Sequence, residues 1–315
     1  MRSAIEYLGH HARWALPVGG LVGIAIPQLA SLARPYLTLA VITTLTLTLA
    51  RLNWQDLAQA IKRPVLPMAM SIWQLVLTPI LVALLTRLVG LPVAVSLALI
   101  LQSASAPVGS AAAFALFVGI NGERVMVLTV LTTILLPLTL TAIVAWVLSD
   151  TTIEVDLGSF FLRVTALVAV PFALAALIRK VTGTQRLRRN EALMAGLNVV
   201  ALVLFAIAIM EGVTAFLLTN PLSAAGLTAL SFVMAVLLHG SAYAVFRAFG
   251  HDNGLVSALA SGNRNMGLML AITAGSAGPT TAIYFGLAQI PMYCVPLLLG
   301  PLVRAGANSA DNRLR

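Results

Sequence analysis

The architecture of this chain can be argued outward from the segment Ala260-Ser261-Gly262-Asn263-Arg264-Asn265-Met266-Gly267-Leu268. It lies in an apolar run over residues 254–275, where three successive polar side chains interrupt a sequence otherwise suited to a membrane-spanning helix. Glycine loosens a helix, and an arginine at the bilayer centre costs from about 2.5 to more than 10 kcal/mol, depending on the method of measurement. The segment therefore predicts a broken helix whose polar residues face a cavity or a partner.

A second interruption lies in the apolar run over residues 92–119, at Ser103-Ala104-Ser105-Ala106-Pro107-Val108-Gly109-Ser110-Ala111-Ala112-Ala113. Pro107 removes a backbone hydrogen bond and clashes with the preceding turn, and Gly109 loosens the helix further. Gly109 and Gly262 are 153 residues apart, close to half of the 315-residue chain. Paired interruptions at corresponding places in two halves indicate an inverted-repeat transporter with its site near the bilayer midplane.

The composition places the chain in the lipid bilayer. Hydrophobic residues make up 60% of it and charged residues 9%, with a mean hydropathy of +0.98, whereas a soluble domain carries about 25% charged residues. The apolar runs are long and unbroken, unlike the alternating segments of about 10 residues in a transmembrane barrel. We therefore predict an all-α integral membrane protein with about ten transmembrane helices, each of about 20 residues.

The predicted spans cover residues 14–31, 35–50, 64–88, 92–119, 124–149, 158–178, 193–218, 222–248, 254–275 and 279–303. We interpret them as an inverted 5+5 repeat, with a first five-helix unit over residues 1–149, a linker over 150–157 and a second unit over 158–315. The spacing of Gly19 and Gly23 in the first span predicts a close contact with another helix.

The positive charges orient these spans. If the N-terminus is cytoplasmic, fifteen of the 19 Lys and Arg residues lie on the inside, and only Arg34, Arg87 and Arg163 lie outside. This bias follows the positive-inside rule and predicts a multi-pass protein of the inner or plasma membrane with both termini in the cytoplasm. Because the basic residues are scattered between apolar runs, they do not indicate a nucleic-acid partner.

The sequence argues against an enzyme. It contains no His-Glu-x-x-His pattern and no phosphate-binding glycine loop ending in lysine. Glu211 is the only acidic residue within the predicted spans, so paired carboxylates are excluded there. We expect neither a cofactor nor a resident metal.

On these residues the sequence resembles the bile acid:sodium symporter family. The segment Ser261–Leu268 resembles the family's ninth-helix signature, and Pro107-Val108-Gly109-Ser110-Ala111 is similar to its Pro-Gly-Gly-Thr-Ala turn in the fourth helix. The number of spans, the length and the orientation agree along the chain. The resemblance implies a secondary transporter that moves an organic anion, such as a carboxylate, by alternating access. It also implies that broken helices four and nine cross in a core domain, which moves against a panel domain of helices one, two, six and seven.

Several positions to which the resemblance assigns sodium ligands carry other residues. Ala112 and Ala113 stand where sodium-coupled members have a Ser-Asn pair, Ala260 replaces a glutamate, and Arg264 replaces a glutamine. Alanine offers no oxygen, and a guanidinium group is always charged and has no acceptor. Sodium coupling, and with it symport, is therefore expected to be weakened or lost.

The residues expected to bind substrate are Arg264, Asn265, Asn263, Ser261, Ser110 and Gln74. Arg264 would place a fixed positive charge where sodium would lie, and a half-helix starting near Asn263 would add a dipole favourable to anions. By the resemblance, Asn265 matches an asparagine near the substrate and Gln74 a glutamine of one sodium site. These residues could instead have structural roles, since asparagines join helices in membranes and serines bond back to their own helix.

Two questions stay open on the sequence alone. Glu211 either pairs with Arg264, which would offer proton coupling, or reaches the outer interface. The alternative functions are a sodium-coupled anion symporter with a relocated ion site and a channel-like or receptor descendant of the fold, since broken helices also build pores.

Overall fold

The computed structural model describes residues 12–52, 54–62, 64–149, 155–273 and 276–298. Within these ranges the chain forms α-helices joined by short turns, with one isolated antiparallel bridge between Pro107 and Arg264. The helices are α1 (Ala12–Ala25), α2 (Pro27–Ala33), α3 (Leu37–Arg51), α4 (Trp54–Lys62), α5 (Val65–Ile72), α6 (Thr78–Val89), α7 (Val93–Ala104), α8 (Ala111–Val118), α9 (Gly122–Leu148), α10 (Leu157–Thr182), α11 (Thr184–Arg189), α12 (Glu191–Ala208), α13 (Val213–Thr219), α14 (Pro221–Phe246), α15 (His251–Gly262), α16 (Met266–Thr273), α17 (Gly278–Leu287) and α18 (Gln289–Leu298).

Six helical stretches in the described ranges are long and apolar enough to cross a bilayer. They are Pro27–Arg51, Val65–Val89, Gly122–Leu148, Leu157–Thr182, Glu191–Thr219 and Pro221–Phe249. These stretches coincide with the second, third, fifth, sixth, seventh and eighth predicted spans. The expectation of an all-helical multi-pass membrane protein is thereby confirmed, whereas ten spans and an inverted 5+5 repeat remain predictions.

The boundary between the first and second spans differs from the sequence-based one at residues 31–35. Helix α1 ends at Ala25, and the chain starts a new helix at Pro27 that continues through a 3-10 turn, Arg34–Tyr36, into α3. Proline lacks the N–H that a helix interior needs, but its fixed φ suits a first helical turn. The chain therefore restarts at Pro27 rather than after the charged Arg34.

Parts of the predicted architecture lie outside the described residues. These parts are residues 150–154 of the linker, residues 274–275 of the ninth span, residues 299–303 of the tenth span and both termini. At the end of the linker, the Asp156 carboxylate accepts a hydrogen bond from the Gly158 N–H at 3.0 Å and so caps α10. Hydrogen bonds from the hydroxyl and N–H of Ser159, the larger influence, and from Gly158 hold the pKa of Asp156 below its ordinary value.

Close packing at glycines brings α1 onto α12. A Cβ atom added to Gly23 would lie 2.8 Å from the carbonyl oxygen of Ile207, and one added to Gly19 would lie 3.2 Å from Cβ of Ala206. Only hydrogen fits at Gly23, so the contact predicted from the Gly19–Gly23 spacing is confirmed. The contact holds α1 beside α12, and both helices contribute residues to the lining of the cavity described below.

Candidate functional site

The two interrupted helices meet at their breaks. The N–H of Val108 donates to the carbonyl of Asn263 at 2.8 Å, and the N–H of Asn265 donates to the carbonyl of Ala106 at 2.8 Å. The two hydrogen bonds form an antiparallel pair around Pro107 and Arg264. Each break therefore satisfies backbone groups that the other leaves open, which a non-helical segment inside a membrane protein requires.

Four helix ends point to this junction. Helices α7 and α15 end there, at Ala104 and Gly262, and helices α8 and α16 begin there, at Ala111 and Met266. Helix α15 packs against α8, and α7 packs against α16, so each half of one broken helix contacts a half of the other. Carboxyl ends of helices carry partial negative charge and amino ends partial positive charge, which makes the junction suited to binding ions of either sign.

Glycine is required at two places beside the junction. A Cβ atom on Gly262 would lie 1.8–2.2 Å from ring atoms of His239 in α14, and a Cβ atom on Gly109 would lie 2.9 Å from the hydroxyl of Thr48 in α3. The first distance is a severe overlap, so His239 packs directly on the Gly262 backbone. The glycines selected from sequence thus allow neighbouring helices to approach the breaks.

Arg264 is completely buried at the junction. Its Nη1 donates to the carbonyl oxygen of Ser105, the residue that ends α7, at 2.7 Å. Its Nε and Nη2 make no hydrogen bond to the described residues. The guanidinium group therefore sits as a cation at the negative end of a helix dipole.

Glu211 is engaged elsewhere. Its carboxylate lies 3.2 Å from Nε of Arg34, and the two side chains are 39% and 27% exposed. It lies between α12 and α13, next to Gly212, whose φ of +76° turns the chain. The pairing of Glu211 with Arg264 that the sequence left open is not formed, because Glu211 lies at the end of the helix bundle where Arg34 lies rather than at the junction.

A cavity of about 450 Å³ opens beside the junction. Its walls come from α1, α3, α8, α9 and α12, and the lining includes Thr48, Arg51, Ser110, Ala112, Ala113 and Asn198. The Ser110 hydroxyl and Oδ1 of Asn198 are buried and make no hydrogen bond to described residues. Both residues line the cavity, although these two atoms are themselves inaccessible in the structure, and buried polar groups without a partner call for a ligand or ordered water.

The structure separates the residues expected to bind substrate. Ser110 lines the cavity, whereas Asn263, Arg264 and Ser261 are 0% exposed and lie behind its wall. Asn265 is 5% exposed, and its side chain accepts a hydrogen bond from the N–H of Leu268 at 3.0 Å, as a helix-capping asparagine does.

Gln74 is also fully buried, in a wide helical turn over Trp73–Leu77 between α5 and α6. Both atoms of its amide group lack a hydrogen-bond partner among the described residues. The hydroxyl of Ser261 is likewise unpartnered, while Ser103 and Ser105 bond back to their own helix at 2.8 and 2.9 Å. The structural alternative, in which a serine bonds back to its own helix, thus applies to Ser103 and Ser105 and not to Ser261.

Sequence reasoning missed Thr48 and Asn198. Asn198 is the single amide in the apolar run of α12, which is a detectable signal, but it carries no recognisable motif. His239 joins α14 to the ninth-helix break: its Nδ1 lies 2.7 Å from the Ala235 carbonyl, and its Nε2 lies 3.5 Å from Nδ2 of Asn263. Thr48 is one of several threonines in α3, and only the fold shows which of them faces the cavity.

Comparison with known proteins adds one match. The family model described as the sodium bile acid symporter family matches residues 38–220, which is more than half of the chain. The matched region includes the fourth-helix break and Asn198 but ends before Arg264. A search of curated proteins finds no match.

Proposed function

The chain belongs to the sodium bile acid symporter family and is a multi-pass membrane transporter of a small solute, and from this premise we propose that it moves an organic anion without the sodium ions of that family. The observation that carries the proposal is Arg264, a buried cation at the junction of the two broken helices. Arg264 holds a fixed charge at the place where sodium would otherwise be bound.

The residues present do not fit sodium. Sodium is a hard cation that needs a shell of oxygen ligands. Ala112 and Ala113 present methyl groups on the first turn of α8, and Ala260 presents a methyl group that is 0% exposed. The unpartnered N–H groups of Arg264 are donors only, so they repel a cation and attract an anion.

The cavity beside the junction is the substrate site in this proposal. Its volume of about 450 Å³ lies in the range of small-molecule sites, about 300–1,000 Å³. A carboxylate placed near Ser110 would accept a hydrogen bond from the hydroxyl and would face the amino end of α8. Asn198 would bind a second polar group from the opposite wall, while Arg264 would act through its positive potential from behind the cavity.

The proposed transport cycle is alternating access between two groups of walls. The cavity lies between α8 and α9 on one side and α3 and α12 on the other. Backbone hydrogen bonds join the broken helices into one unit, and this unit would rock against the helices that carry Thr48 and Asn198. The inverted repeat over residues 1–149 and 158–315 is part of this proposal, because it would give the outward and inward states equivalent geometry.

The test is uptake of organic anions by proteoliposomes, with sodium, potassium and pH varied independently. We expect that anion uptake by the unmodified protein does not depend on sodium. We also expect the affinity for the anion to be at least about ten-fold lower in Arg264→Gln, which corresponds to about 1.4 kcal/mol. The control variant is Arg163→Gln, which removes an exposed charge far along the sequence from the junction. Sodium-dependent uptake, or unchanged anion affinity in Arg264→Gln, would reject the proposal.

One observation favours a second candidate, a sodium-coupled symporter whose ion site is rebuilt around Gln74, which by the resemblance matches a glutamine of one sodium site. Both amide atoms of Gln74 are buried and unpartnered, so its oxygen is available to a cation. In that case sodium would stimulate uptake, and Gln74→Leu would abolish the stimulation. Counterflow distinguishes either carrier from a channel, because only a carrier shows stimulation by unlabelled substrate on the opposite side.

A further inference from the structure

A second cavity, of about 460 Å³, lies at the ends of α3, α10 and α12. Its lining includes Arg51, Trp54, Gln55, Arg179, Thr184 and Leu187. It is open to the outside of the protein, and the charge bias of the sequence predicts that it faces the cytoplasm. The transport cycle proposed above uses none of these residues, although Arg51, Leu52 and Glu191 line both cavities.

Arg179 is held rigidly in this cavity. Its Nη1 donates to the carbonyls of Ala50 at 3.0 Å and Leu52 at 2.8 Å, and its guanidinium carbon lies 5.8 Å from the ring centroid of Trp54. These hydrogen bonds use only one of its nitrogens. The N–H groups on Nε and Nη2 remain as part of a planar fork that suits the two oxygens of a phosphate or a carboxylate.

The surroundings are strongly basic. Lys180, Arg186 and Arg189 are exposed around the end of α10 and along α11. Among the described lining residues, the acidic side chain is Glu191, which lies 3.6 Å from Nη2 of Arg51 and is 67% exposed. A single exposed carboxylate does not neutralise this cluster, so the cavity attracts anions.

The cavity also has apolar walls, from Trp54 and Leu187. Trp54, Leu57 and Ala58 recur along α4 at the spacing of one helix face. Leu57 is 5% exposed and packs in a cluster with Leu49 at the end of α3. Helix α4 therefore lies over the ends of the spans, where tryptophan is typical of the headgroup layer, and Trp54 is 42% exposed there.

We propose that this cavity binds the headgroup of an anionic phospholipid from the leaflet on that side. The phosphate oxygens would meet Arg179 and Arg51, and Thr184 and Gln55 would offer further polar contacts. The glycerol and the first methylene groups would pack along Trp54 and Leu187. A soluble phosphate carries the same charge but has no apolar part to pack against these walls. Anionic lipids are also enriched in the leaflet that faces basic loops.

Native mass spectrometry of the full-length protein in detergent tests the proposal, with phosphatidylglycerol, phosphatidylcholine and inorganic phosphate as three separate probes. We expect one phosphatidylglycerol to bind at least about ten-fold more tightly than phosphatidylcholine, and millimolar phosphate not to displace it. We expect Arg179→Gln, which removes one basic residue, to weaken phosphatidylglycerol binding about five-fold. The control Arg163→Gln is expected to bind phosphatidylglycerol as the unmodified protein does.

Because Arg179 also holds two backbone carbonyls, its variant could fail to fold. Arg186→Gln and Thr184→Val change side chains that make no such bond in the structure, and both are expected to weaken phosphatidylglycerol binding. Equal binding of the two lipids would overturn the proposal, as would full binding in these variants. Displacement of the lipid by inorganic phosphate would show that the cavity takes a soluble anion instead.

Discussion

Replacing Gly262 by alanine tests the packing at the ninth-helix break. The added Cβ atom would lie 1.8 Å from Cε1 and 1.9 Å from Nδ1 of His239, about half of a normal contact distance. The imidazole ring cannot move away easily, because it is 3% exposed and its Nδ1 lies 2.7 Å from the Ala235 carbonyl. Either the ring leaves its place or α14 moves away from α15.

The magnitude follows from these two contacts. Overpacking in a tight interior costs about 1–3 kcal/mol, and losing the imidazole hydrogen bond adds about 1 kcal/mol. Together they give a destabilisation of about 2–4 kcal/mol. At about 2–4 °C for each kcal/mol in a chain of this size, we expect Tm to fall by about 4–16 °C.

The assay is thermal stability of the detergent-purified protein, followed by fluorescence-detected size-exclusion chromatography after heating. Gly240→Ala is the matched control, because this glycine lies in α14 beside His239 and an added Cβ atom meets nothing within 4 Å. It is expected to stabilise the helix by up to about 1 kcal/mol. The double variant Gly262→Ala with His239→Ala should be no less stable than His239→Ala alone, because the overlapping ring is gone.

Two results would refute this reasoning. One is a Tm of Gly262→Ala within 1 °C of that of the unmodified protein, because a shift of 1 °C corresponds to at most about 0.5 kcal/mol of destabilisation. The other is a double variant whose loss equals the sum of the two single losses, since residues that are not in contact behave additively.

Three further predictions concern the site and its surroundings. Ser110→Ala and Asn198→Ala should each raise the KM of anion uptake about three- to ten-fold, the equivalent of one hydrogen bond, and an unchanged KM in both would argue against this cavity as the substrate site. Glu211→Gln should lower stability by less than about 1 kcal/mol, as for other partly exposed ion pairs, and should leave the pH profile of uptake unaltered; loss of a pH dependence would instead indicate a proton route through Glu211. Asn265→Ala should cost about 1 kcal/mol through loss of the α16 cap, measured by thermal unfolding, while Asn265→Asp should keep most of it because a carboxylate also accepts the Leu268 N–H.

The breaks could be predicted because their causes are local. Pro107 with Gly109 two residues later favours a break, whereas Pro137 and Pro171 stand without such a glycine and lie inside α9 and α10. Gly262 with the following Asn-Arg-Asn departs from the apolar pattern, so both positions stand out in a single sequence. The start of the second span was predicted at residue 35, whereas the chain begins a new helix at Pro27, because a proline does not by itself say whether a helix starts or ends. Only the fold shows which it does.

The composition of the site was predicted less well, because it depends on contacts between distant helices. Arg264 and Asn263 were chosen for their polarity, yet the other broken helix covers them and leaves Ser110 to face the cavity. Asn198 comes from a helix with no motif near it. The partner of Glu211, Arg34, is 177 residues away in the chain, and nothing in the local sequence of either residue links the two.

The backbone pair between the two breaks has a consequence for how this architecture can change its chemistry. Its two hydrogen bonds join the main chains of Val108 and Asn263 and of Ala106 and Asn265, and side chains make neither of them. The side chains at Ala112, Ala113, Ala260 and Arg264, to which the resemblance assigns sodium ligands, can therefore change while the scaffold stays joined. For protein engineering, this predicts that carboxylate and hydroxyl side chains can be installed at these four positions to build a cation-driven carrier, with the main-chain joint left in place.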